Sequence, residues 1–205
     1  LPAGGAINSL VLLPNLLDHS IERPPVVDSL DGCISVSGEN IVQCAVGERV
    51  AVVGETGAGK STVAKLAVRF HDPDAGSVTL DGADLRALDE GDLRRHVVMV
   101  PQEGFLFAGS LRDNLRFARP DLDDETLWEV CRQIGIADWV ASLPEGLDTE
   151  VRERGSRLSA GERQLVALGR ALVADPAVIV LDEATSNLDP ETEQRVEAAL
   201  GTLLE

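Results

Sequence analysis

The chain has 205 residues and a hydrophobic content of 44%, which is enough for one sizeable core or two small subdomains. Its 18 basic residues stand against 35 acidic ones, and the net charge of -17 argues against nucleic acid as the main partner, because phosphate backbones are bound by clustered Lys and Arg. The three cysteines form no CxxC pair, which argues against a zinc site or a disulfide framework.

Residues 1–30 are predicted to be a linker. Pro24 and Pro25 keep its last part extended. The apolar stretch 7–17 is interrupted by polar residues and by Pro14, so it is too short and too broken to span a bilayer. Any connection to a membrane is therefore expected to come from a partner or from another part of the gene product.

From residue 31 the pattern becomes that of an α/β domain. Short β-branched runs at 49–53, 97–100 and 178–181 alternate with segments of helical periodicity, which predicts a mainly parallel sheet buried on both faces. The clearest helix begins at Lys60. Four apolar residues follow at helical spacing and are expected to face the sheet: Val63, Leu66, Ala67 and Phe70.

The middle of the chain is predicted to be a mostly helical subdomain, at about 103–165. Its segments 123–134 and 136–143 have helical periodicity, and no strong strand pattern appears there. A last helix is indicated by Asp189 as N-cap and Pro190 at the first helical position.

The strongest motif is a phosphate-binding loop that matches G-x-x-x-x-G-K-[ST], with a strand before it and a helix after it. Gly57 and Gly59 let successive N–H groups turn towards phosphate oxygens, and the helix dipole adds positive charge at the same place. Lys60 supplies a full charge for the β- and γ-phosphates, and Ser61 can ligate Mg²⁺. The predicted nucleotide-binding residues of this loop are Gly54, Glu55, Thr56, Gly57, Ala58, Gly59, Lys60, Ser61 and Thr62.

Two acidic residues follow the apolar run 178–181 directly. The carboxyl ends of strands are where open α/β sheets bind their ligands. Asp182 lies at the strand end and is predicted to hold Mg²⁺, whereas Glu183 is predicted to orient and deprotonate a water molecule.

Three further motifs identify a family. The segment 158–164, Leu-Ser-Ala-Gly-Glu-Arg-Gln, resembles the signature sequence of ABC transporter ATPase domains and precedes an apolar helix. Gln102 matches the Q-loop of that family, and 186–189, Ser-Asn-Leu-Asp, matches its D-loop. The order and spacing of all five motifs agree with the family over about residues 47–200. The expected fold is accordingly a P-loop NTPase core with a mainly parallel sheet, a small antiparallel β part and a helical subdomain that carries the signature.

The resemblance implies a mechanism that needs two such domains, arranged head to tail, with ATP between the phosphate loop of one and the signature of the other. Glu183, Lys60 and Gln102 would then be catalytic, and Ser61, Gln102 and Asp182 would hold Mg²⁺. Gln102 also joins the nucleotide-binding set, as does the signature of the opposite domain. Its predicted contacts are Ser159, Ala160, Gly161 and Glu162. The movement would be passed to transmembrane domains at the cytoplasmic face of the cell membrane.

Three segments resemble exporters in particular. They are 149–155 before the signature, 105–114 after the Q-loop, and the linker that ends at Asp28. The resemblance implies a type that is fused to its transmembrane domain and exports drugs or lipids, and it is nearest to actinobacterial members.

The sequence departs from the family at three places. In the family a switch histidine follows the two acidic residues that match Asp182 and Glu183. All three histidines of this sequence lie upstream of Asp182, so the switch histidine is missing from residues 31–205, which are expected to be a domain truncated at its carboxyl end. No Tyr, Phe or Trp precedes Phe70 to stack on adenine, which is expected to weaken ATP binding several-fold. The signature has Ala160 for Gly and Glu162 for Gln. The isolated chain is therefore expected to bind ATP and to hydrolyse it weakly.

Other functions stay open at this stage. An importer ATPase has the same core motifs. A nucleotide-binding half with little turnover would explain the changed signature, although Glu183 argues against it. A nucleic-acid ATPase of the same family is disfavoured by the acidic charge and by the lack of a coiled-coil insertion.

Overall fold

The fold is seen in a computed structural model that describes residues 10–14, 34–37, 42–44, 50–53, 55, 57–152, 155–182 and 190–204. These residues belong to two compact units. One unit contains residues 8–99 and 175–182. The other contains 1–7, 100–174 and 183–205. The predicted boundaries at 30, 103 and 165 are not tested by this division.

The first unit contains two four-stranded sheets. One has the order β4-β1-β8-β7, and the other has the order β3-β2-β5-β6. The strands are β1 (Leu10–Pro14), β2 (Ile34–Ser37), β3 (Val42–Cys44), β4 (Val50–Val52), β5 (Ser77–Leu80), β6 (Ala83–Asp84), β7 (Val97–Val100) and β8 (Val178–Asp182).

Strand β1 was not predicted from the sequence. It runs antiparallel to β4 on one side and to β8 on the other, with Leu10 opposite both Val52 and Asp182. Strands β4 and β8 thus run in the same direction, as expected for a mainly parallel sheet, but the antiparallel strand β1 lies between them. Residues 1–30 were interpreted as a linker because Pro24 and Pro25 keep its last part extended, and a strand at Leu10–Pro14 was not expected. The rest of 1–30 lies outside the described residues.

The second sheet of this unit is antiparallel throughout. Strand β2 pairs with β3 and β5, and β5 pairs with β6. The core beneath it includes Leu80, Leu85 and Leu93, which are almost fully buried.

The α-helices among the described residues of this unit are α1 (Lys60–Ala67) and α2 (Glu90–His96). Helix α1 buries Ala64 and Ala67 in the core. It ends before Phe70, which is exposed with the guanidinium of Arg94 5.5 Å from its ring centroid. The expectation that Phe70 faces the sheet was therefore wrong, because the helix stops three residues earlier.

The second unit is built from helices. They are α3 (Leu111–Leu115), α4 (Asp124–Gln133), α5 (Ala137–Ser142), α6 (Ala160–Ala174) and α7 (Pro190–Leu204). Ser110 and Asp113 form a capping box at α3, and Asp123 caps α4 by accepting the N–H of Thr126. Long helix α6 packs against α3, α4 and α7, and its buried residues include Leu165, Val166 and Leu168.

Candidate functional site

The phosphate loop leads from β4 into α1. Gly57 and Gly59 have φ angles of 88° and 91°, a conformation that L side chains rarely adopt. A Cβ on either glycine would meet nothing within 4 Å, so conformation and not crowding requires glycine here. Gly54 and Thr56 lie outside the described residues.

The amino end of α1 is open to an anion. No side chain caps it, and its first turn contains no acidic residue. The dipole of this helix is therefore not offset by an acidic residue in its own first turn.

The side chain of Lys60 lies along this loop. It is buried, and its Nζ donates a hydrogen bond of 3.0 Å to the carbonyl oxygen of Glu55. That bond places the ammonium group within the loop. A cation held here can bind phosphate oxygens as a point charge.

Ser61 and Asp182 meet at the end of β8. The Ser61 hydroxyl Oγ donates a hydrogen bond of 3.1 Å to Asp182 Oδ1 across 121 residues of sequence. The structure thus brings together two of the predicted Mg²⁺ ligands, a hydroxyl and a carboxylate, beside the phosphate loop. Glu183, the predicted water-activating residue, lies outside the described residues.

Gln102 and the signature belong to the helical unit. Gln102 is exposed and follows β7 by two residues. Ser159, Ala160 and Glu162 lie at the start of α6 and are solvent-accessible, whereas Gly161 is buried.

The signature forms a capping box. The Ser159 hydroxyl oxygen accepts the backbone N–H of Glu162 at 3.2 Å, and a Glu162 carboxylate oxygen accepts the N–H of Ser159 at 2.7 Å. Because Ser159 acts as acceptor here, its own hydroxyl hydrogen can still be donated to an oxyanion. The carboxylate of Glu162, however, already occupies a helix end that attracts anions.

Two features of this unit were not predicted from the sequence. The side chain of Thr192 in α7 lies against Gly161, and Arg170 of α6 contacts Asn114 and three phenylalanines. The one sequence signal for the second feature is a lone arginine within the apolar run 165–173.

Comparisons with known proteins agree on the family. The family model described as "ABC transporter" matches residues 41–186. An ABC transporter ATP-binding protein of Bacillus subtilis is 46% identical over 158 residues, which are 77% of this chain and 26% of that protein. ABC transporter B family member 1 of Arabidopsis thaliana is 42% identical over 196 residues, 95% of this chain and 14% of that protein.

A solved structure is similar over almost the whole chain. It is that of a bacterial Atm1-family ABC exporter with ATP bound, with a TM-score of 0.76 and 35% identity over 93% of this chain and 35% of that chain. The chain thus spans about a third or less of the length of the proteins compared with it. The actinobacterial resemblance is not tested by these similarities and stays a prediction.

Proposed function

The chain belongs to the ABC transporter family, and on that premise we propose that it is the ATP-binding and hydrolysing domain of an exporter. The observation that carries the proposal is the 3.1 Å contact between Ser61 and Asp182, which joins the helix after the phosphate loop to the end of β8. The likeness to an ATP-bound exporter supports export over import.

Mg²⁺ fits the donor set at this place. The ion prefers oxygen ligands, and it usually keeps several waters and takes only one or two carboxylates beside phosphate oxygens. Ser61 and Asp182 supply such oxygens. In the part of the chain that the structure describes, no group of three or more His, Cys, Asp or Glu side chains could hold a metal. Phosphate oxygens and water are the further ligands that Mg²⁺ usually takes. Once bound, Mg²⁺ would neutralise charge on the β- and γ-phosphates.

The residues of the chain have separate tasks in hydrolysis. Lys60 binds the phosphate oxygens and holds the nucleotide in the loop. Gln102 and Glu183 orient the attacking water, and Glu183 accepts its proton.

Two copies of such a domain are needed for a complete site. In this proposal Ser159 and Gly161 act on the γ-phosphate that is bound to the opposite domain, and closure of the pair on ATP drives transmembrane domains of the transporter. Among the described residues no helix is long and apolar enough to cross a bilayer. The proposed location is the cytoplasmic face of the cell membrane.

One observation favours a second candidate, a nucleotide-binding half with little turnover. The carboxylate of Glu162 lies at the signature end where a phosphate would have to approach. Binding would then persist, and turnover would be low.

The test measures ATP binding at increasing Mg²⁺ concentration for Ser61→Ala, with Ser61→Thr as the matched control that keeps a hydroxyl. We expect Ser61→Ala to need about tenfold more Mg²⁺ for the same ATP binding, because it loses one charge-assisted contact with the ion. Ser61→Thr should bind as the wild type. The same Mg²⁺ dependence in Ser61→Ala would contradict the metal site. Turnover measured in the same samples separates the two candidates.

A further inference from the structure

Arg170 is a partly buried cation in the middle of helix α6. Its guanidinium donates to the carbonyl oxygen of Asn114 at 3.1 Å, to Asn114 Oδ1 at 2.9 Å and to the carbonyl oxygen of Phe105 at 3.2 Å. Among the ion pairs of the described residues none includes Arg170, and burial lowers its pKa to about 10. Its charge is therefore met by carbonyl dipoles and not by a carboxylate.

Asn114 extends these contacts to the loop before α3. It is 1% exposed. Its Oδ1 accepts the N–H of Phe107 at 2.9 Å, and its Nδ2 donates to the carbonyl oxygens of Phe107 at 3.0 Å and Ser110 at 2.9 Å. Arg170 and Asn114 together thus fix the backbone of 105–110 at three residues.

Aromatic rings cover the guanidinium of Arg170. Its Cζ lies 5.2 Å from the ring centroid of Phe107 and 5.6 Å from that of Phe117. The two rings are stacked with centroids 4.4 Å apart, and Phe105 meets Phe107 edge-on at 5.3 Å. Such cation–π contacts add to the hydrogen bonds and favour arginine over lysine, since the planar guanidinium stacks on rings and donates in several directions.

The segment before this loop is tied to the same helix at two further points. Gln164 Nε2 donates to the carbonyl oxygen of Pro101 at 3.3 Å. At Gly104 a Cβ would fall 2.6 Å from the carbonyl carbon and oxygen of Arg163, so the two backbones touch and no side chain fits. The segment 101–107 therefore follows α6 from Arg163 to Arg170.

We propose that Arg170 is a positioning residue for hydrolysis. It fixes the segment 101–107 against helix α6, so that Gln102 keeps a constant position relative to Ser159 of the signature. The proposal rests on the proposed function. In this role Arg170 acts through the backbone of Phe105 and through Asn114, and it sets the position of Gln102 three residues before Phe105.

This role predicts a split between binding and turnover. The phosphate loop with Lys60 and Ser61 makes none of these contacts, so ATP affinity should be preserved when Arg170 is changed. Turnover depends on the placement of Gln102, and misplacement of a catalytic group by about 1 Å costs about a hundredfold. A purely structural role would instead lower stability, with no selective effect on turnover.

The experiment compares the wild-type intact protein with Arg170→Lys and with Arg132→Lys. Arg132 is the matched control, a surface arginine that pairs with Glu129 at 2.7 Å. ATP affinity, turnover and the thermal midpoint are measured for each protein. For Arg170→Lys we expect turnover to fall about ten- to hundredfold, with ATP affinity changed less than about twofold. Arg132→Lys should behave as the wild type.

A second measurement keeps the test independent of turnover. Amide hydrogen exchange of 105–110 should accelerate in Arg170→Lys, while exchange in helix α1 should stay as in the wild type. Equal turnover by Arg170→Lys and the wild type, or unchanged exchange of 105–110, would overturn the positioning role while the proposed function stands. A wild type that neither binds nor hydrolyses ATP would contradict the proposed function and this inference with it.

Discussion

Gly161 of the signature lies directly against Thr192 of helix α7. A Cβ on Gly161 would fall 1.8 Å from Thr192 Cγ2 and 3.1 Å from Thr192 Cβ, so the side chain of Thr192 or one of the two helices would have to shift. The resemblance to the family assigned Gly161 to a phosphate of the opposite domain. The contact with Thr192 gives a second reason for glycine at this position, because α6 and α7 pack closely together there.

This contact predicts that Gly161→Ala destabilises the protein by about 1–3 kcal/mol, the usual cost of overpacking. In an open helix the same change would stabilise by up to about 1 kcal/mol, so the sign itself is informative. Thr192→Ala removes the Cγ2 that is in the way, and the double variant should recover most of the stability. Urea unfolding of the two single variants and the double variant measures this. A double variant as unstable as Gly161→Ala would contradict the packing explanation.

Substitutions of Glu162 can separate the effect of its charge from the effect of its capping hydrogen bond. Glu162→Gln keeps an oxygen that can accept the N–H of Ser159 but removes the negative charge from the end of α6 where a phosphate would bind. We expect ATP-dependent association of the chain to become stronger, because the helix dipole is no longer screened by this carboxylate. Glu162→Ala also loses the capping bond, so its helix should be less stable. Light scattering at increasing ATP follows the association, and a weaker association of Glu162→Gln would contradict this account.

Carboxylates of the helical unit predict the response to acid. Hydrogen bonds from Arg112 lower the pKa of Asp148, and the backbone N–H groups of Ser110 and Thr126 lower the pKa values of Asp113 and Asp123. A carboxyl group whose folded pKa is lowered stabilises the protein above its unfolded pKa of about 4 and loses this contribution as pH falls through the folded value. Stability should therefore decrease below about pH 4.

The variant Asp148→Asn tests this response. The side chain stays similar in size, but its proton uptake is removed, so the fall in stability with acid should become shallower. The effect should be small because Asp148 is exposed. Urea unfolding between neutral and acidic pH gives the slope, and a variant as steep as the wild type would mean that the Arg112 contact is not made in solution.

Local rules predicted several elements well. Helix α1 begins at Lys60, the lysine of the phosphate loop, as predicted. Helix α7 begins at Pro190, as predicted from the preference of proline for the first helical position. The strands β7 and β8 match the apolar runs 97–100 and 178–181, with Asp182 as one further residue. Such signals lie within a few residues of sequence, and so they can be read without knowledge of the fold.

The features that were missed depend on contacts between distant residues. Strand β1 forms in a segment rich in breakers because β4 and β8 offer hydrogen bonds on both sides. The contact of Arg170 with Asn114 spans 56 residues. No periodicity or motif indicates which carbonyl oxygen an arginine will reach, and this is why the contacts of the segment 101–107 with helix α6 were not predicted.

ATP binding to the purified chain and to its two lysine variants tests the central claim most directly. Lys60 lies in the phosphate loop, and Lys65 is an exposed lysine in the last turn of the same helix, so Lys65→Ala is a matched control for the loss of one positive charge. The account predicts that the wild type and Lys65→Ala bind ATP equally and that Lys60→Ala binds at least about tenfold more weakly. Equal affinity of all three proteins, or no binding by the wild type, would contradict it.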